Sequence, residues 1–269
     1  MIIMRNIPKL LLLYCIQTLN LIEGNELVVN VKSLTGEIFK EKISSNSSDD
    51  WISLEYTQAY STHVTHILDF KQELQVVHVV RLGEEELGQK PFQQMCFISK
   101  FSRDDFISSD AMSKLRQKNP WTVRTPEENL ETDELDVDLS IDVDTVGAVL
   151  SPHVSSLCSS SPTTTFASSR DLKSWLNSRH DVDSDWASLS DGSHQLPSRG
   201  VLSCNQLTAA AQPCICQQQV CLWWYPCGLK FCKDRDDSGK AITYRCGIRT
   251  CRRCRIYSFY AATQAQCIR

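Results

Sequence analysis

The chain has 269 residues, of which 42% are hydrophobic, and its formal net charge at pH 7 is −4. This length allows one large or two small domains. A membrane-spanning helix needs about 20 consecutive apolar residues, and no stretch of the sequence reaches that length. We therefore expect a soluble mature protein without a membrane span.

The N-terminus has the pattern of a secretory signal peptide. Arg5 and Lys9 form a short basic region, residues 10–16 are apolar, and Gly24 offers a small residue for cleavage. We therefore predict a signal peptide over residues 1–24 and a secreted, extracellular protein. Cleavage would remove Cys15 and leave an even number of cysteines, which suits complete disulfide pairing.

The first half of the mature chain is rich in predicted β-strands. Thr35-Gly36 is a turn signal between the first two strands, which indicates a hairpin. Each candidate strand contains many β-branched or aromatic residues, which favour extended structure. The candidates are Leu27–Val31, Ile38–Ile43, Trp51–Thr57, His63–Phe70, Leu74–Leu82 and Met95–Phe101.

The sequence Asn46-Ser47-Ser48 matches the acceptor pattern for N-linked glycosylation. It lies in a polar stretch that suits an exposed loop. In a secreted protein this pattern predicts a glycan on Asn46.

A short helix and a long strand are predicted next. Asp110–Lys118 lacks β-branched residues and ends before Asn119-Pro120, which favours a helix. Leu135–Val143 alternates strictly between apolar and polar residues, which predicts one strand with one buried face. Its polar side could be read as calcium ligands or paired catalytic carboxylates, but same-face residues are roughly 7 Å apart, a poor cage. We therefore expect a solvated acidic face, formed by Asp136, Asp138, Asp142 and Asp144.

A Ser/Thr-rich stretch at residues 155–169 precedes a second predicted helix. Ser169 would cap this helix, and Leu172, Trp175 and Leu176 would form its apolar side. Residues 181–200 are polar and rich in Ser, Asp and Gly, which is typical of a linker. The predicted division is therefore one domain at 25–180, a linker at 181–200 and a second domain at 201–269.

Ten cysteines are concentrated in the C-terminal domain. Spacings such as Cys251-x2-Cys254 resemble zinc-ligand pairs, and four thiolates could hold zinc. The signal peptide and the lack of histidine in this region favour disulfides instead, although the sequence leaves their connectivity open. We therefore predict no metal and no cofactor. The ten are Cys204, Cys214, Cys216, Cys221, Cys227, Cys232, Cys246, Cys251, Cys254 and Cys267.

Two features between these cysteines have two interpretations each. The apolar run Leu222-Trp-Trp-Tyr-Pro226 could fill a small core, which we favour, or form an exposed recognition patch. A cluster of four arginines could bind sulfated glycans through several charge contacts, or could be an ordinary charged surface, which we favour. The cluster consists of Arg249, Arg252, Arg253 and Arg255.

Charge is unevenly distributed along the chain. Residues 104–144 contain twelve acidic and four basic side chains, whereas the residues from Pro226 onward contain ten basic and three acidic ones. This polarity suits an acidic partner, but it equally suits two parts of the chain that face each other. We expect an extracellular protein as the partner, with sulfated glycans as a second candidate, and no nucleic acid.

Catalytic signatures are absent from the sequence. It contains no Gly-x-Ser-x-Gly, no His-Glu-x-x-His and no glycine-rich phosphate loop. The six histidines are scattered, and His63 and His66 fall on opposite faces of a predicted strand. We therefore expect a non-enzymatic protein without catalytic residues.

Five runs occur in one order along the chain: Pro91–Phe97, Ser109–Pro120, Leu150–His153, Trp224–Cys227 and Tyr244–Arg249. Together they resemble the out at first family of secreted animal proteins, and the similarity extends from about residue 26 to 267. The family pattern has ten cysteines, so Cys221 and Cys254 are additional in this chain. By parity, these two are expected to pair with each other.

In the first half, Leu68-Asp69-Phe70, Met95–Ile98 and Leu157-Cys158 resemble the BRICHOS pattern of one aspartate and two distant cysteines. A BRICHOS domain is a small antiparallel sheet flanked by helices, and its two cysteines pair. The resemblance therefore implies a disulfide between Cys96 and Cys158.

These features together predict an α+β fold, in which a BRICHOS-like antiparallel sheet with flanking helices is followed by a small disulfide-rich domain. The predicted function is non-enzymatic protein–protein interaction outside the cell, with developmental signalling as the candidate setting. The alternative is a BRICHOS-type chaperone, in the secretory pathway or the extracellular space, that covers exposed strand edges.

Overall fold

The fold was determined as a computed structural model, which describes residues 26–58, 61–177, 189, 191–197, 200–207, 211–235 and 238–267. The predicted signal peptide, the side chains of Trp175 and Leu176, and much of the predicted linker lie outside the described residues. Within the described part of the chain, no helix is long and apolar enough to cross a membrane.

Ten strands form one large sheet in the order β12-β10-β11-β6-β5-β4-β3-β2-β1-β7. Strands β1 to β6 follow each other as an antiparallel meander, which confirms all six strands predicted for the first half. Both ends of the sheet are very short strands. The bounds are β1 Glu26–Lys32, β2 Ile38–Asn46, β3 Trp51–Gln58, β4 Thr62–Asp69, β5 Leu74–Leu82, β6 Phe92–Lys100, β7 Val123–Arg124, β10 Leu139–Ile141, β11 Thr165–Ala167 and β12 Ser193–Gln195.

A second sheet is built on a long C-terminal hairpin, in which β13 (Cys214–Arg235) pairs antiparallel with β14 (Ala241–Ala261). Two short strands from the acidic segment, β8 (Glu128–Asn129) and β9 (Asp133–Asp136), run parallel to β14. The acidic segment therefore lies along the edge of the basic hairpin strand.

The described helices are short: α1 Ser109–Ser113, α2 Val143–Leu150, α3 Pro152–Cys158 and α4 Ser169–Asn177. Helix α1 ends before the predicted Lys118, and the guanidinium of Arg116 donates to the carbonyls of Ser113 and Leu115 just beyond it. The predicted α+β class is wrong, because the structure is dominated by sheet. Helices α2 and α3 cover one end of the large sheet, the short α1 packs beside β2 and β3, and the hairpin packs on the face opposite to α2 and α3.

The predicted strand Leu135–Val143 is also wrong as a single element. Its first part is β9, which pairs with β14, whereas its second part is β10, which pairs with β11 and β12. The alternation of apolar residues continues through the break because both parts bury one face, but they do so in two different sheets. Val143 already belongs to α2.

Two of the four aspartates on this segment are structural rather than part of a solvated face. The carboxylate of Asp138 accepts hydrogen bonds from the amide and the hydroxyl of Ser169, at 2.7 and 2.6 Å, where α4 begins. Asp142 caps α2 by accepting from the amide of Asp144. A sequence pattern does not distinguish such capping carboxylates from solvated ones.

Helix α3 is fixed to the large sheet at both ends. At its start, the hydroxyl of Ser151 donates to the buried carboxylate of Asp69 at 2.6 Å. At its end, Cys158 is bonded to Cys96 of β6, which is the pairing that the resemblance implies. The aspartate and the two cysteines therefore hold one helix on one face of the sheet.

The base of the hairpin packs across the other face of the large sheet. Tyr257 stacks on Phe97 with ring centroids 4.3 Å apart, and Phe259 stacks on Phe166 at 4.8 Å. Buried residues of β1 to β6 and of the hairpin belong to one continuous hydrophobic cluster. The predicted boundaries at 180 and 201 stay predictions, but the two segments share a core, and part of the predicted linker forms β12.

Six disulfides join the twelve cysteines beyond Cys15, and the ten C-terminal ones pair only among themselves. Cys221 and Cys254 are directly opposite each other on β13 and β14 and are bonded, with their α-carbons 4.0 Å apart. The other C-terminal pairs are Cys204–Cys214, Cys216–Cys267, Cys227–Cys251 and Cys232–Cys246.

Two polar side chains of the sheet bind the hairpin backbone inside the core. Tyr56 donates its hydroxyl to the carbonyl of Cys221 at 2.6 Å, and Glu41 accepts the amide hydrogen of Trp224 at 3.2 Å. Glu41 is fully buried, and its second carboxyl oxygen has no partner among the described residues. Burial raises the pKa of the Glu41 carboxyl well above 4.5, although the bond from Trp224 opposes this shift.

The position of Glu41 predicts that stability falls as pH rises. Because its pKa is raised in the folded state, the folded protein binds more protons than the unfolded chain above pH 4.5, so alkalinisation destabilises it. Glu41→Gln keeps the shape and the acceptor but cannot ionise. We expect the variant to gain stability relative to the wild type between pH 5 and pH 8, measured by urea unfolding. The control is Glu86→Gln, which removes an exposed carboxylate. If the stability difference between Glu41→Gln and the wild type is the same at pH 5 and pH 8, the expectation is contradicted.

The pair Cys221–Cys254 predicts a specific pattern of thiols. Since Cys227–Cys251 already closes the hairpin nearby, the extra loop is short, and replacing both Cys221 and Cys254 with Ser should cost about 2–3 kcal/mol without unfolding the protein. Either single replacement leaves one thiol, which is buried and should titrate only in denaturant. A thiol count of zero in both denatured single variants would mean that the two are not partners.

Candidate interaction surface

The distal end of the C-terminal hairpin is largely exposed, and we call its described residues, 230–235 and 238–247, the arm. Three large apolar side chains of the arm are exposed: Phe231 by 62%, Tyr244 by 46% and Ile242 by 40%. An isolated two-stranded hairpin is at best marginally stable in water. The disulfide Cys232–Cys246 cross-links the arm where the sheet no longer supports it.

The pairing register gives the arm two different faces, because directly opposite residues of an antiparallel pair lie on the same side. Cys232 pairs with Tyr244 and Asp234 pairs with Ile242. These four, together with Cys246, form one side, which we call the disulfide face.

The other side, which we call the cationic face, consists of the three pairs that alternate with those of the disulfide face. These are Phe231 with Arg245, Lys233 with Thr243, and Arg235 with Ala241. The disulfide face therefore carries Tyr244 and Ile242 with a single carboxylate, Asp234, whereas the cationic face carries three cations around Phe231.

The predicted arginine cluster lies at the base of the hairpin, and two of its members are bound to acidic residues. Arg253 contacts Asp105 at 2.6 Å and Asp133 at 3.8 Å. Arg255, which is 7% exposed, contacts Asp133 at 3.4 Å and donates to Gln75 at 2.9 Å.

The other two members of the cluster also have partners within the chain. Arg252 lies over the ring of Trp223, 4.6 Å from its centroid, and donates to Cys254 Sγ at 2.9 Å. Arg249 is exposed and lies 3.9 Å from Glu128. The charge polarity of the sequence thus reflects two parts of the chain that face each other. Because all four arginines have partners within the chain, they form no unpaired basic surface, and a glycan role for this cluster stays a prediction.

The apolar run Leu222–Pro226 fills the core rather than forming a recognition patch. Leu222, Trp224 and Tyr225 are 2%, 6% and 0% exposed, and Tyr225 packs against Phe106 with ring centroids 4.6 Å apart. The favoured interpretation of this run is confirmed. The exposed aromatic residues of the hairpin are Phe231, further along the same strand, and Tyr244 on β14, and isolated aromatic positions gave no signal in the sequence.

A buried polar network lies where β14 crosses the large sheet. Gln75 accepts from Arg255, contacts His66 Nε2 at 2.9 Å and donates to Ser99 at 2.9 Å. Burial, reinforced by the positive charge of Arg255, lowers the pKa of His66 to about 3. The imidazole therefore stays neutral near pH 7 and is a structural member of the core.

Two arrangements among the described residues resemble chemical sites. Ser161 Oγ lies 3.4 Å from His78 Nε2, but Ser161 is 2% exposed and His78 is 9% exposed, so a substrate has little access to the pair. The sulfurs of Cys204, Cys216 and Cys267 lie within 4.8 Å of each other. All three are in disulfides, so none is a free thiolate for a metal.

The predicted glycosylation acceptor Asn46 lies at the end of β2, where the chain turns toward β3. Its side-chain amide donates to Asp49 at 3.0 Å, and its oxygen accepts the amide hydrogen of Ser48 at 2.9 Å. Asn46 is half-buried beside an exposed turn, and its modification stays a prediction.

Comparison with known proteins gives two family models that match in chain order. The model described as "Out at first" matches residues 25–175, and the model described as "Out at first, C-terminal" matches residues 203–269. The segment between the two matches includes the predicted linker. No solved structure matches this chain.

Two curated relatives match almost the whole chain. An "Out at first protein" of Drosophila virilis is 38% identical over 256 residues, which cover 92% of this chain and 83% of that protein. An "Out at first protein" of Drosophila melanogaster is 37% identical over 254 residues, which cover 91% of this chain but 51% of that protein. The chain thus spans about half the length of the second relative. With both segments matched and this identity over most of its length, the chain belongs to the out at first family.

Proposed function

We propose that this protein is a secreted, non-enzymatic protein that binds an extracellular protein partner through the disulfide face of the arm. The observation that carries the proposal is the exposure of Tyr244 and Ile242 on a cross-linked strand pair that extends beyond the core. Aromatic side chains at rigid positions are frequent centres of binding energy in protein interfaces.

The rigidity of the arm supports this proposal. Binding costs the conformational entropy of the groups that become ordered, and preorganised groups lose less of it. Cys232–Cys246 and Cys227–Cys251 hold the two strands together, so Tyr244 is presented on a fixed backbone. Tyr244 and Ile242 are exposed and belong to neither hydrophobic cluster, so the fold does not depend on them.

Six disulfides support a location in an oxidising compartment, as does the predicted signal peptide. We further propose that this binding serves developmental signalling. It requires one saturable partner on the surface of a responding cell, so it is tested together with the binding itself.

A BRICHOS-type chaperone is the alternative, supported by the placement of Asp69, Cys96 and Cys158 around one helix. Such a chaperone would offer a sheet face or edge to unfolded clients. The face of β1 to β4 away from the hairpin contains polar residues such as Lys40, Lys42, Glu55 and Thr65. The end strands β7 and β12 have two and three residues. These surfaces fit an apolar, β-prone client less well than the arm fits a folded partner.

The test is saturation binding of the labelled, secreted protein to intact cultured Drosophila cells, the genus of both relatives. We expect the double variant Ile242→Ser, Tyr244→Ser to bind about 10-fold or more weakly, because two central apolar contacts are removed. Phe231→Ser, on the opposite face of the same arm, is the matched control and should bind normally. All three proteins should show the same near-ultraviolet circular dichroism.

Two treatments of the cells make the result specific. Surface proteolysis should abolish the binding that depends on Tyr244, whereas enzymatic removal of surface glycans should leave it. Saturable binding that the double variant retains would overturn the proposal. Suppression of fibril formation by several unrelated peptides, unchanged in the double variant, would favour the chaperone instead.

A further inference from the structure

The cationic face of the arm has a charge distribution unlike that of the rest of the hairpin. Lys233, Arg235 and Arg245 are all exposed and share this face, whose described residues include no carboxylate. None of the three forms an ion pair in the described part of the chain. The neighbouring Asp234 lies on the opposite side, since successive residues of a strand alternate.

Several other cations of the hairpin are paired with the acidic segment. Lys230 pairs with Glu127 at 2.6 Å at the root of the arm, and Arg253 and Arg255 pair with Asp133 at the base. The acidic strands β8 and β9 lie along residues 251–258 of β14 and do not reach the arm. Among the described residues, Lys233, Arg235 and Arg245 therefore remain exposed on one face without an ion pair.

The spacing of these charges suits an extended anionic chain. Same-face residues two apart on a strand, and diagonal neighbours across a pair, are roughly 7 Å apart. Lys233 and Arg235 are two apart on β13, and Arg245 is the diagonal neighbour of Lys233 on β14. We propose that the cationic face of the arm is a binding site for a sulfated glycan, whose sulfate groups recur at short intervals along the chain.

The chemistry of the face favours a sulfated glycan over other polyanions. A guanidinium binds two oxygens of an oxyanion at once, which suits a sulfate group. A protein partner would need an apolar centre with little charge. Tyr244 and Ile242 provide such a centre on the disulfide face, whereas Phe231, the one large apolar side chain among the described residues of the cationic face, is paired with Arg245 and shares that face with Lys233 and Arg235. Anionic lipids are concentrated in the cytoplasmic leaflet, which a protein with six disulfides in an oxidising compartment does not meet.

The test is salt-gradient elution of the full-length secreted protein from immobilised heparin, compared with chemically desulfated heparin. The wild type should bind heparin and should elute from the desulfated resin at much lower salt. The variant with Lys233→Gln, Arg235→Gln and Arg245→Gln should lose about 10-fold in affinity at 0.15 M salt, roughly a factor of two per exposed charge contact. Its affinity should also depend less steeply on salt, because fewer ions are released on binding.

The matched control replaces three exposed lysines outside the arm: Lys40→Gln, Lys90→Gln and Lys118→Gln. It changes the net charge equally and should elute like the wild type. A wild type that heparin does not retain, or equal elution of the arm variant and the wild type, would overturn the proposal. So would equal loss in both triple variants, because net charge alone would then explain retention.

The glycan site does not depend on the protein partner proposed above, because the two use opposite faces of the arm. Ile242→Ser, Tyr244→Ser should keep its heparin affinity, and the arm triple variant should keep the protease-sensitive binding to cells. A double variant that loses heparin binding as well, with its disulfides intact, would contradict the division into two faces.

Discussion

The packing of the hairpin base on the large sheet is the contact on which the rest of the structure depends. It combines stacked aromatic rings, such as Tyr257 on Phe97, with a small buried network in which Arg255 donates to Gln75. A buried guanidinium without partners is strongly destabilising, so the hairpin is favoured in the register that places Arg255 beside Gln75 and Asp133. The apolar contacts supply most of the stabilisation, and the polar ones fix the position.

The same contact explains why the acidic segment runs along β14. Once Arg253 and Arg255 lie at the edge of the core, Asp105 and Asp133 compensate them at short distance. The backbone of residues 127–137 then completes the edge of β14 with hydrogen bonds, for example from Leu130 to Arg252. A paired edge is also protected from association with other strands. At the base of the hairpin the charges of Arg253 and Arg255 are thereby paired, whereas Lys233, Arg235 and Arg245 of the arm form no ion pair with another described residue.

Local sequence patterns predicted those parts of the fold that local interactions determine. The six strands of the meander follow from β-branched residues and turn signals. The pairing of Cys221 with Cys254 needed more than local patterns, because it followed from parity only after the family resemblance had set these two cysteines apart. The break within Leu135–Val143 could not be predicted, because it arises where the chain passes from one sheet to another while still burying alternate residues. The sheet-dominated class was missed because a long hairpin, rather than a layer of helices, packs across one face of the large sheet.

The candidate site was harder to predict, because its residues differ from the rest of the hairpin only in that they lie beyond the core and beyond the acidic segment. The arginines at 249–255 and those of the arm look equivalent in the sequence, and only the path of the acidic segment separates them.

Among the disulfides of the hairpin, Cys232–Cys246 lies where none of the described strands outside the hairpin pairs with β13 or β14. Along the arm, a cross-link therefore takes over the role that a hydrophobic core has at the base. Substitution of exposed side chains such as Lys233 and Tyr244 should therefore change the stability of the fold little, since surface substitutions away from packed groups usually change stability by less than about 0.5 kcal/mol. Changes there can alter binding without altering the fold, whereas changes at Arg255 or Tyr257 would alter both.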